Sequence, residues 1–209
     1  ILKRGTMKLK NLTLLIIVLL VADQALKIWV KTHMQLDEAI IVFPDWFQLR
    51  FIENKGAAYG MHIASSGAFD WGKLLLGIFR IALSCLVGWL IWRLSKRENT
   101  PKGVLVGLAL ILAGAVGNII DSAFYGLIFS ESTPWTVAHF GGHYAGLMMG
   151  KVVDMFYFPL FQWNSCPGFL RFLVDSNNYF FGAIFNLADV YISLAAVYLL
   201  VFQYKFISK

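Results

Sequence analysis

The stretch LTLLIIVLLVADQALKIWV, residues 12–30, is almost entirely apolar, yet it contains Asp23 and Lys27. At about 1.5 Å of rise per residue, a helix of this length approaches the roughly 30 Å of hydrocarbon in a bilayer. Three further stretches are long and apolar enough to do the same: residues 71–94, 103–125 and 181–202. The sequence therefore predicts an all-α polytopic membrane protein with four transmembrane helices.

The composition also indicates a membrane protein. Of the 209 residues, 58% are hydrophobic and 14% are charged, whereas a soluble domain carries about 25% charged residues. The net charge of +6 comes from Lys and Arg residues at the ends of the apolar stretches. A nucleic-acid partner would need a basic face with interleaved aromatic side chains, so none is expected. We interpret residues 1–6 as an expression remnant before Met7, and residues 7–209 as a single membrane domain.

The distribution of basic residues predicts the orientation of the helices. Lys and Arg are enriched in the cytoplasmic flanks of membrane helices. Here they occur before the first apolar stretch, between the second and third, and after the fourth: Lys8, Lys10, Arg93, Lys96, Arg97, Lys102 and Lys205. Both termini are therefore expected in the cytoplasm, and the two remaining connections on the outer side.

The outer connections are predicted to hold the extended structure. Residues 46–60 read WFQLRFIENKGAAYG, where Phe47, Leu49 and Phe51 alternate with polar residues before a turn rich in Asn and Gly. Alternation with period two is typical of a strand. We therefore expect a small β-sheet at the outer face, because an open sheet edge cannot lie in hydrocarbon. The second connection, residues 126–179, is expected to contain interfacial segments.

Acidic side chains in or beside the apolar stretches are the candidates for chemistry. A charge near the bilayer centre costs at least about 2.5–3.5 kcal/mol, so such residues usually have a function. Asp23 and Lys27 share a helix face, and we interpret them as an ion pair that neutralises a buried charge. The other acidic candidates are predicted to converge near the outer leaflet: Asp121, Asp154, Asp189 and, as a lesser candidate, Glu53.

An asparagine precedes two of these acids by three residues. GNIID contains Asn118 and Asp121, and FNLAD contains Asn186 and Asp189. Residues so spaced share a helix face, so each amide can donate to the carboxylate or orient nearby backbone. Asp189 is expected about two turns into the fourth helix, too deep for its short side chain to reach the surface. Two aspartates held close together cannot both ionise, so one stays protonated and the other activates water as a base.

Other chemistries have less support in the sequence. HExxH is absent, and the glycines of HFGGH disfavour a helix that would aim His139 and His143 at one metal ion. Ser65 and Ser66 have no base nearby except His62. Neither a metal nor another cofactor is expected. Two alternatives to an enzyme stay open: a small transport protein whose acids relay protons or ions, and a scaffold that binds lipid.

Five sequence blocks together resemble the bacterial lipoprotein signal peptidases, or signal peptidase II. In chain order they are DQALK at 23–27, ENKGAAYG at 53–60, GNIID at 117–121, VVDMF at 152–156 and FNLAD at 185–189. The resemblance implies an aspartic endopeptidase of the bacterial inner membrane with its active site towards the outer leaflet. Such an enzyme removes the signal peptide from diacylglyceryl-modified prolipoproteins by cutting before the lipidated cysteine. Its partners would be that substrate and membrane lipids, and we expect a monomer.

The resemblance also implies roles for individual residues. Asp154 and Asp189 would form the catalytic dyad, and Asn54 and Gly56 would help to seat the substrate. A supporting polar shell would comprise Asp23, Lys27, Asn118, Asp121 and Asn186.

The chain departs from the family pattern in two respects. Ser122 stands where the family usually has Arg after the acid, and Lys151 or Arg171 is a candidate to supply that charge from the loop. The stretches on either side of Asp154 are longer than in most relatives. The shape of the outer loops therefore stays open.

Overall fold

The first three helices follow the apolar stretches of the sequence. In a computed structural model, the described residues are 8–44, 46–54, 65–66, 69–175 and 177–207. Helix α1 covers Leu9–His33, α2 covers Trp71–Ser95 and α3 covers Lys102–Ile120. These bounds agree with the predicted helices to within a few residues at most ends. The α3 helix departs from prediction at its end, where the backbone changes its hydrogen-bonding pattern.

A π-helical turn, Asp121–Tyr125, continues α3 and leads into the short helix α4, Gly126–Ile128. Such turns insert an extra residue into the hydrogen-bond ladder and are frequent at functional sites. Counted together, Lys102–Ile128 is one of three helices in the described chain that are long and apolar enough to cross a membrane. The other two are α1 and α2.

The fourth helix differs from its prediction. Helix α5 covers Leu187–Phe202, only 16 residues, which is about 24 Å of helix and less than the hydrocarbon thickness. The predicted span, residues 181–202, is therefore wrong at its start. Ile184–Phe185 form strand β6 instead, and Asn186 caps the helix. After a break at its far end, α6 covers Tyr204–Ile207.

Helix α3 is the centre of the bundle and packs against α1, α2 and α5. Glycines let α5 approach it closely. A Cβ added at Gly114 would lie 2.4 Å from the carbonyl oxygen of Ala188, and one at Gly107 would lie 2.7 Å from Leu199 Cδ2. Small residues at such interfaces bring membrane helices into van der Waals contact. The large apolar side chains that face away from the bundle are exposed, as expected of surfaces in contact with lipid.

The sheet lies at one end of the bundle. Strands β1 (Ala39–Phe43), β2 (Phe47–Asn54), β5 (Val152–Tyr157) and β6 form an antiparallel sheet in the order β1-β2-β5-β6. Ser65–Ser66 and Phe69–Asp70 pair separately as β3 and β4. The prediction of a strand from Phe47 and of a small sheet is confirmed. The sequence analysis did not predict β5, which is buried on both faces and so shows no alternation.

Four helices have one end at this sheet: α1 and α3 end there, and α2 and α5 begin there. We call this the sheet end. A cluster of buried apolar residues joins it to α1 and the π-helical turn: Val30, Met34, Phe51, Tyr125, Phe129, Val153 and Met155. The second connection is mostly irregular, with a 3-10 helix at Gly168–Leu173.

Candidate active site

Lys27 lies in a fully buried polar cluster between α1 and the end of α3. Its Nζ is 3.0 Å from Asp23 Oδ2 and 2.8 Å from Asp121 Oδ2. All three residues have no exposed surface. The predicted ion pair between Asp23 and Lys27 is present, and Asp121 joins it from the π-helical turn. Two carboxylates thus share one ammonium group.

The two carboxylates also hold the backbones that precede the candidate dyad. Asp23 Oδ1 accepts a hydrogen bond from the backbone N–H of Ala188 at 3.0 Å. Asp121 Oδ2 accepts one from the backbone N–H of Val153 at 3.3 Å. Ala188 directly precedes Asp189, and Val153 directly precedes Asp154. The cluster therefore positions the start of α5 and the centre of β5 relative to α1 and α3.

Gln24 and Tyr125 complete the cluster, although the sequence analysis did not single them out. Gln24 Nε2 donates to Asp23 Oδ2 at 3.1 Å and to Asp121 Oδ1 at 2.9 Å. Tyr125 OH donates to Gln24 Oε1 at 3.1 Å, which fixes the orientation of the amide. The sequence could have indicated a role for Gln24, because a side-chain amide next to Asp23 in an apolar helix needs hydrogen-bond partners.

Asn186 begins α5 through a capping box with Asp189. Its Oδ1 accepts from the backbone N–H of Asp189 at 3.0 Å, while Asp189 Oδ2 accepts from the backbone N–H of Asn186 at 3.4 Å. Asp189 is therefore in the first turn of α5, and its predicted position two turns into the helix is wrong. The capping box explains the difference, because Asn and Asp three residues apart favour a helix start.

The Asn118 amide connects Lys27 to Asp189. Asn118 Oδ1 accepts from Lys27 Nζ at 2.8 Å and from Asn186 Nδ2 at 3.2 Å. Its Nδ2 then donates to Asp189 Oδ1 at 2.9 Å. Asn118 thus donates to a carboxylate on a different helix and not to Asp121, which lies three residues further along the chain in the π-helical turn. Since an ammonium group can only donate, Lys27 determines which way this amide points.

Asp154 is 4% exposed and lies on β5. Asn186 Nδ2 donates to its Oδ1 at 2.6 Å. Burial and the negative charge of Asp189 raise the pKa of Asp154 to about 7, although hydrogen bonds from Asn186 and Asn54 and the charge of Lys27 act in the opposite direction. Asn54 reaches this site because β2 pairs with β5, with Asn54 opposite Val152.

A second buried charge cluster lies beside β2. Lys31, which has no exposed surface, forms an ion pair with Glu53 and donates to Ser132 Oγ at 2.9 Å. Lys151 Nζ is 3.0 Å from the other carboxylate oxygen of Glu53 and 3.4 Å from Glu131. We call these residues, together with Ser132, the Glu53 cluster. It ties the long connection after α4 to β2 immediately before Asn54.

The remaining candidates can now be placed. Lys151 pairs with Glu53, and Asp121 with Lys27, so the expectation that Lys151 supplies a charge to Asp121 is wrong. Ser122 is buried and its hydroxyl donates to the carbonyl of Asn118 at 3.0 Å. Arg171 is exposed on the 3-10 helix. Gly56 lies outside the described residues.

Comparison with known proteins identifies the family. The sequence model of signal peptidase (SPase) II matches residues 15–205. The chain belongs to the signal peptidase II family. A lipoprotein signal peptidase of Porphyromonas gingivalis is 43% identical over 194 residues, which cover 92% of this chain and 82% of that protein. One from Amoebophilus asiaticus is 37% identical over 185 residues, 87% of this chain and 72% of that protein.

Solved structures share the fold of this signal peptidase II family member. One, "Bacterial membrane enzyme structure by the in meso method at 2.3 A resolution", superposes with a TM-score of 0.63 at 19% identity and covers 96% of this chain and 92% of its own. A second at 1.9 A has the same score and identity and covers 94% of each chain. The resemblance inferred from the five sequence blocks is confirmed at the level of the family.

Proposed function

We propose that this protein is an intramembrane aspartic endopeptidase that removes signal peptides from diacylglyceryl-modified bacterial prolipoproteins, cutting before the lipidated cysteine. Family membership and the names of its relatives support peptide cleavage and the substrate class. One observation supports the dyad. Asn186 donates to the Asp154 carboxylate through its side-chain amide and to the Asp189 carboxylate through its backbone N–H, so a single residue links the two carboxylates.

The environments of the two carboxylates suggest different roles. Asp154 is buried with a raised pKa, so it is the protonated member and hydrogen-bonds to the scissile carbonyl oxygen. Asp189 is half-buried and accepts a hydrogen bond from Asn118, so it is the ionised base. It takes a proton from water as the water oxygen attacks the carbonyl carbon. The tetrahedral intermediate then collapses, the C–N bond breaks, and the leaving amine receives that proton.

The sheet end faces outwards in this proposal. The basic residues flanking the helices lie at the opposite end, which the positive-inside rule assigns to the cytoplasm. A lipidated cysteine keeps its acyl chains in the bilayer and its peptide bond near the headgroups. Asp189, in the first turn of α5, is at a suitable depth for that bond and for water. An impermeant thiol reagent is expected to label Cys166, which is in the connection before α5, from the outer side of the inner membrane.

Cleavage assays with matched variants test the proposal. A diacylglyceryl-modified prolipoprotein is incubated in bilayers with wild type, Asp154→Asn, Asp189→Asn and the control Asp37→Asn. Asp37 is exposed at the sheet end with a φ of 68°, a conformation that Asn also tolerates. We expect cleavage by wild type and the control only, although all four fold. Full activity in either dyad variant would contradict the mechanism. A folded wild type that transports protons but does not cleave would favour the transport alternative.

A further inference from the structure

Arg80 is a cation within the apolar helix α2 that the sequence analysis did not consider. It lies nine residues after Trp71, about 14 Å along the helix axis. The buried residues Gly77 and Ser84 lie three residues before it and four residues after it. Residues at these spacings share one face of a helix. Arg80 therefore faces the protein and is half-buried, in contrast with the exposed Ile78 and Phe79.

The side chain of Arg80 is directed towards the sheet end. Side chains on a helix tilt towards its N-terminus, and α2 begins at the sheet end. Contacts with the connection before β5 hold this part of α2 in place. Lys73 Nζ donates to the carbonyl of Met149 at 2.8 Å, and a Cβ at Gly77 would lie 2.4 Å from the Met148 side chain. Arg80 thus extends towards the level of the two aspartates.

The carboxylates that act electrostatically on Arg80 are Asp189 and Asp154. No hydrogen bond or ion pair to Arg80 is found within the part of the chain that the structure describes. Helices α2 and α5 both pack on α3 but have little contact with each other. Asp189 also lines an open cavity of about 310 Å³ along α5, together with Phe185 and Leu194. Arg80, on the inward face of α2, and Asp189, in the first turn of α5, therefore influence each other electrostatically without direct contact between their side chains.

The other cations near the site are already paired. Lys27 is shared by Asp23 and Asp121. Lys31 and Lys151 bind Glu53. Because these lysines bind other carboxylates, none of the cations in α1, β5 or the π-helical turn pairs with the dyad alone. Ser122 adds no charge.

We infer that Arg80 is a positioning residue on the inward face of α2 that acts on the dyad through its charge, so that its guanidinium group favours the singly ionised state of Asp154 and Asp189. This inference rests on the proposed function of that pair. A carboxylate facing an apolar cavity is disfavoured by desolvation, and a cation at a short distance opposes that effect. The Arg80 side chain does not itself take part in bond making or breaking.

The pH dependence of cleavage tests this role. The charged groups that face the dyad are Asp23 and Lys27 from α1, Asp121 from the π-helical turn, and Arg80 from α2. Removing a positive charge makes both proton losses from the pair harder, so Arg80→Gln is expected to move the whole profile to higher pH by about one unit. On the acidic limb of the pH–rate profile, a shift of about one unit lowers the rate about tenfold. Arg80→Lys keeps the positive charge, so both limbs of its profile are expected to stay at their wild-type pH values.

A matched control separates this effect from general damage to α2. Arg93→Gln changes the same residue type at the far end of the same helix, where Arg93 lies over the Trp89 ring, and its profile is expected to keep its limbs. An Arg80→Gln enzyme that loses rate equally at every pH would overturn the inference, because a purely structural role lowers the amplitude without moving the limbs.

A substrate-free measurement distinguishes this inference from the proposed function. Thermal unfolding is measured for Arg80→Gln, Asp189→Asn and the double variant in the same detergent. Arg80→Gln is expected to lower the unfolding midpoint in the wild-type background and much less in the Asp189→Asn background. Equal shifts in both backgrounds would overturn the inference even if wild type cleaves. If Arg80→Gln does not fold, Arg80→Met, which also removes the charge and keeps a long side chain, is used in the same cycle.

Discussion

At the scale of single residues, two asparagine side chains organise the site. The side-chain oxygen of each asparagine, Asn118 and Asn186, accepts from a group that can only donate, either an ammonium or a backbone N–H. The side-chain nitrogen of each donates to a carboxylate. A buried network in which all members are satisfied is rigid. The amides therefore hold Asp154 and Asp189 in place without adding charge.

Lys27 is expected to be more important for stability than for the rate of the folded enzyme. In Lys27→Ala, Asp23 and Asp121 lose the ammonium group that they share, and breaking a buried ion pair typically costs about 3–5 kcal/mol. Chemical unfolding and the rate per folded molecule measure the two effects. Lys10→Ala, an exposed lysine at the start of the same helix, is the control and is expected to be neutral. A stable but inactive Lys27→Ala would show that Lys27 acts in catalysis.

The raised pKa of Asp154 predicts two pH effects. Burial places this pKa at about 7 in the folded protein, above the value of about 3.9 for an unfolded chain. The folded state therefore binds the proton more tightly, so this group lowers stability as the pH rises from about 4 to 7. Cleavage is expected to fall above about pH 7, as Asp154 loses its proton. Asp154→Asn should flatten the dependence of the unfolding midpoint on pH; an unchanged slope would contradict the assignment.

At the scale of elements, the Glu53 cluster positions the end of β2. Glu53 accepts from Lys31 on α1 and pairs with Lys151 on the long connection, and the next residue, Asn54, hydrogen-bonds to Asp154. The charges of Glu53 and Glu131 raise the pKa of Lys151 despite the opposing effect of burial. The long connection thus stabilises the strand that contacts the dyad.

Glu53→Gln is expected to destabilise the protein by about 3 kcal/mol, because Lys31 stays buried without a counter-charge. Cleavage should also fall, since Asn54 is no longer held against Asp154. Glu131→Gln is the control, because the Glu131 side chain is 63% exposed and such pairs contribute about 0–1 kcal/mol. Unfolding in denaturant and initial rates compare the variants. Equal losses of stability and rate in Glu53→Gln and Glu131→Gln would mean that the Glu53 cluster does not hold β2 in place.

At the scale of the whole molecule, the site depends on how closely α5 packs on α3. Asp23 on α1, Asn118 on α3 and Asp189 on α5 meet only because glycines on α3 leave room. At Gly117, an added Cβ would lie 2.6 Å from Asp23 Oδ2, and at Gly114 it would meet the Ala188 carbonyl. Backbone in the path of a new methyl group cannot move without shifting α5.

Gly114→Ala is therefore expected to reduce cleavage at least about tenfold and to destabilise the protein by about 1–3 kcal/mol, as overpacked cores do. Gly88→Ala on α2 is the control, because a Cβ there would lie 3.9 Å from Leu112 Cδ2, an ordinary contact. Alanine also has the higher helix propensity, so Gly88→Ala should be neutral or stabilising. Cleavage rates and unfolding midpoints are measured for both Gly114→Ala and Gly88→Ala. A fully active Gly114→Ala would show that the α3–α5 spacing is not critical.

The sequence by itself determined the membrane class, the positions of α1, α2 and most of α3, the β2 strand and the ion pair of Asp23 with Lys27. These features depend on local apolar runs, on alternation or on spacing within one helix. The order of the five motif blocks also identified the family. The Asn and Asp of FNLAD are a helix-start signal as well, but the prediction used their spacing only as evidence of a shared helix face within the apolar run of residues 181–202.

Only the tertiary structure decided which groups pair across elements. Lys27 reaches Asp121, Asn118 reaches Asp189, and Lys151 reaches Glu53; each contact joins separate parts of the chain. The pairing of β5 with β2 and the π-helical turn depend likewise on packing that no local pattern encodes. The physical reason is that a buried charge takes whichever partner the fold brings within reach, so its hydrogen bonds follow from the packing of helices and sheet.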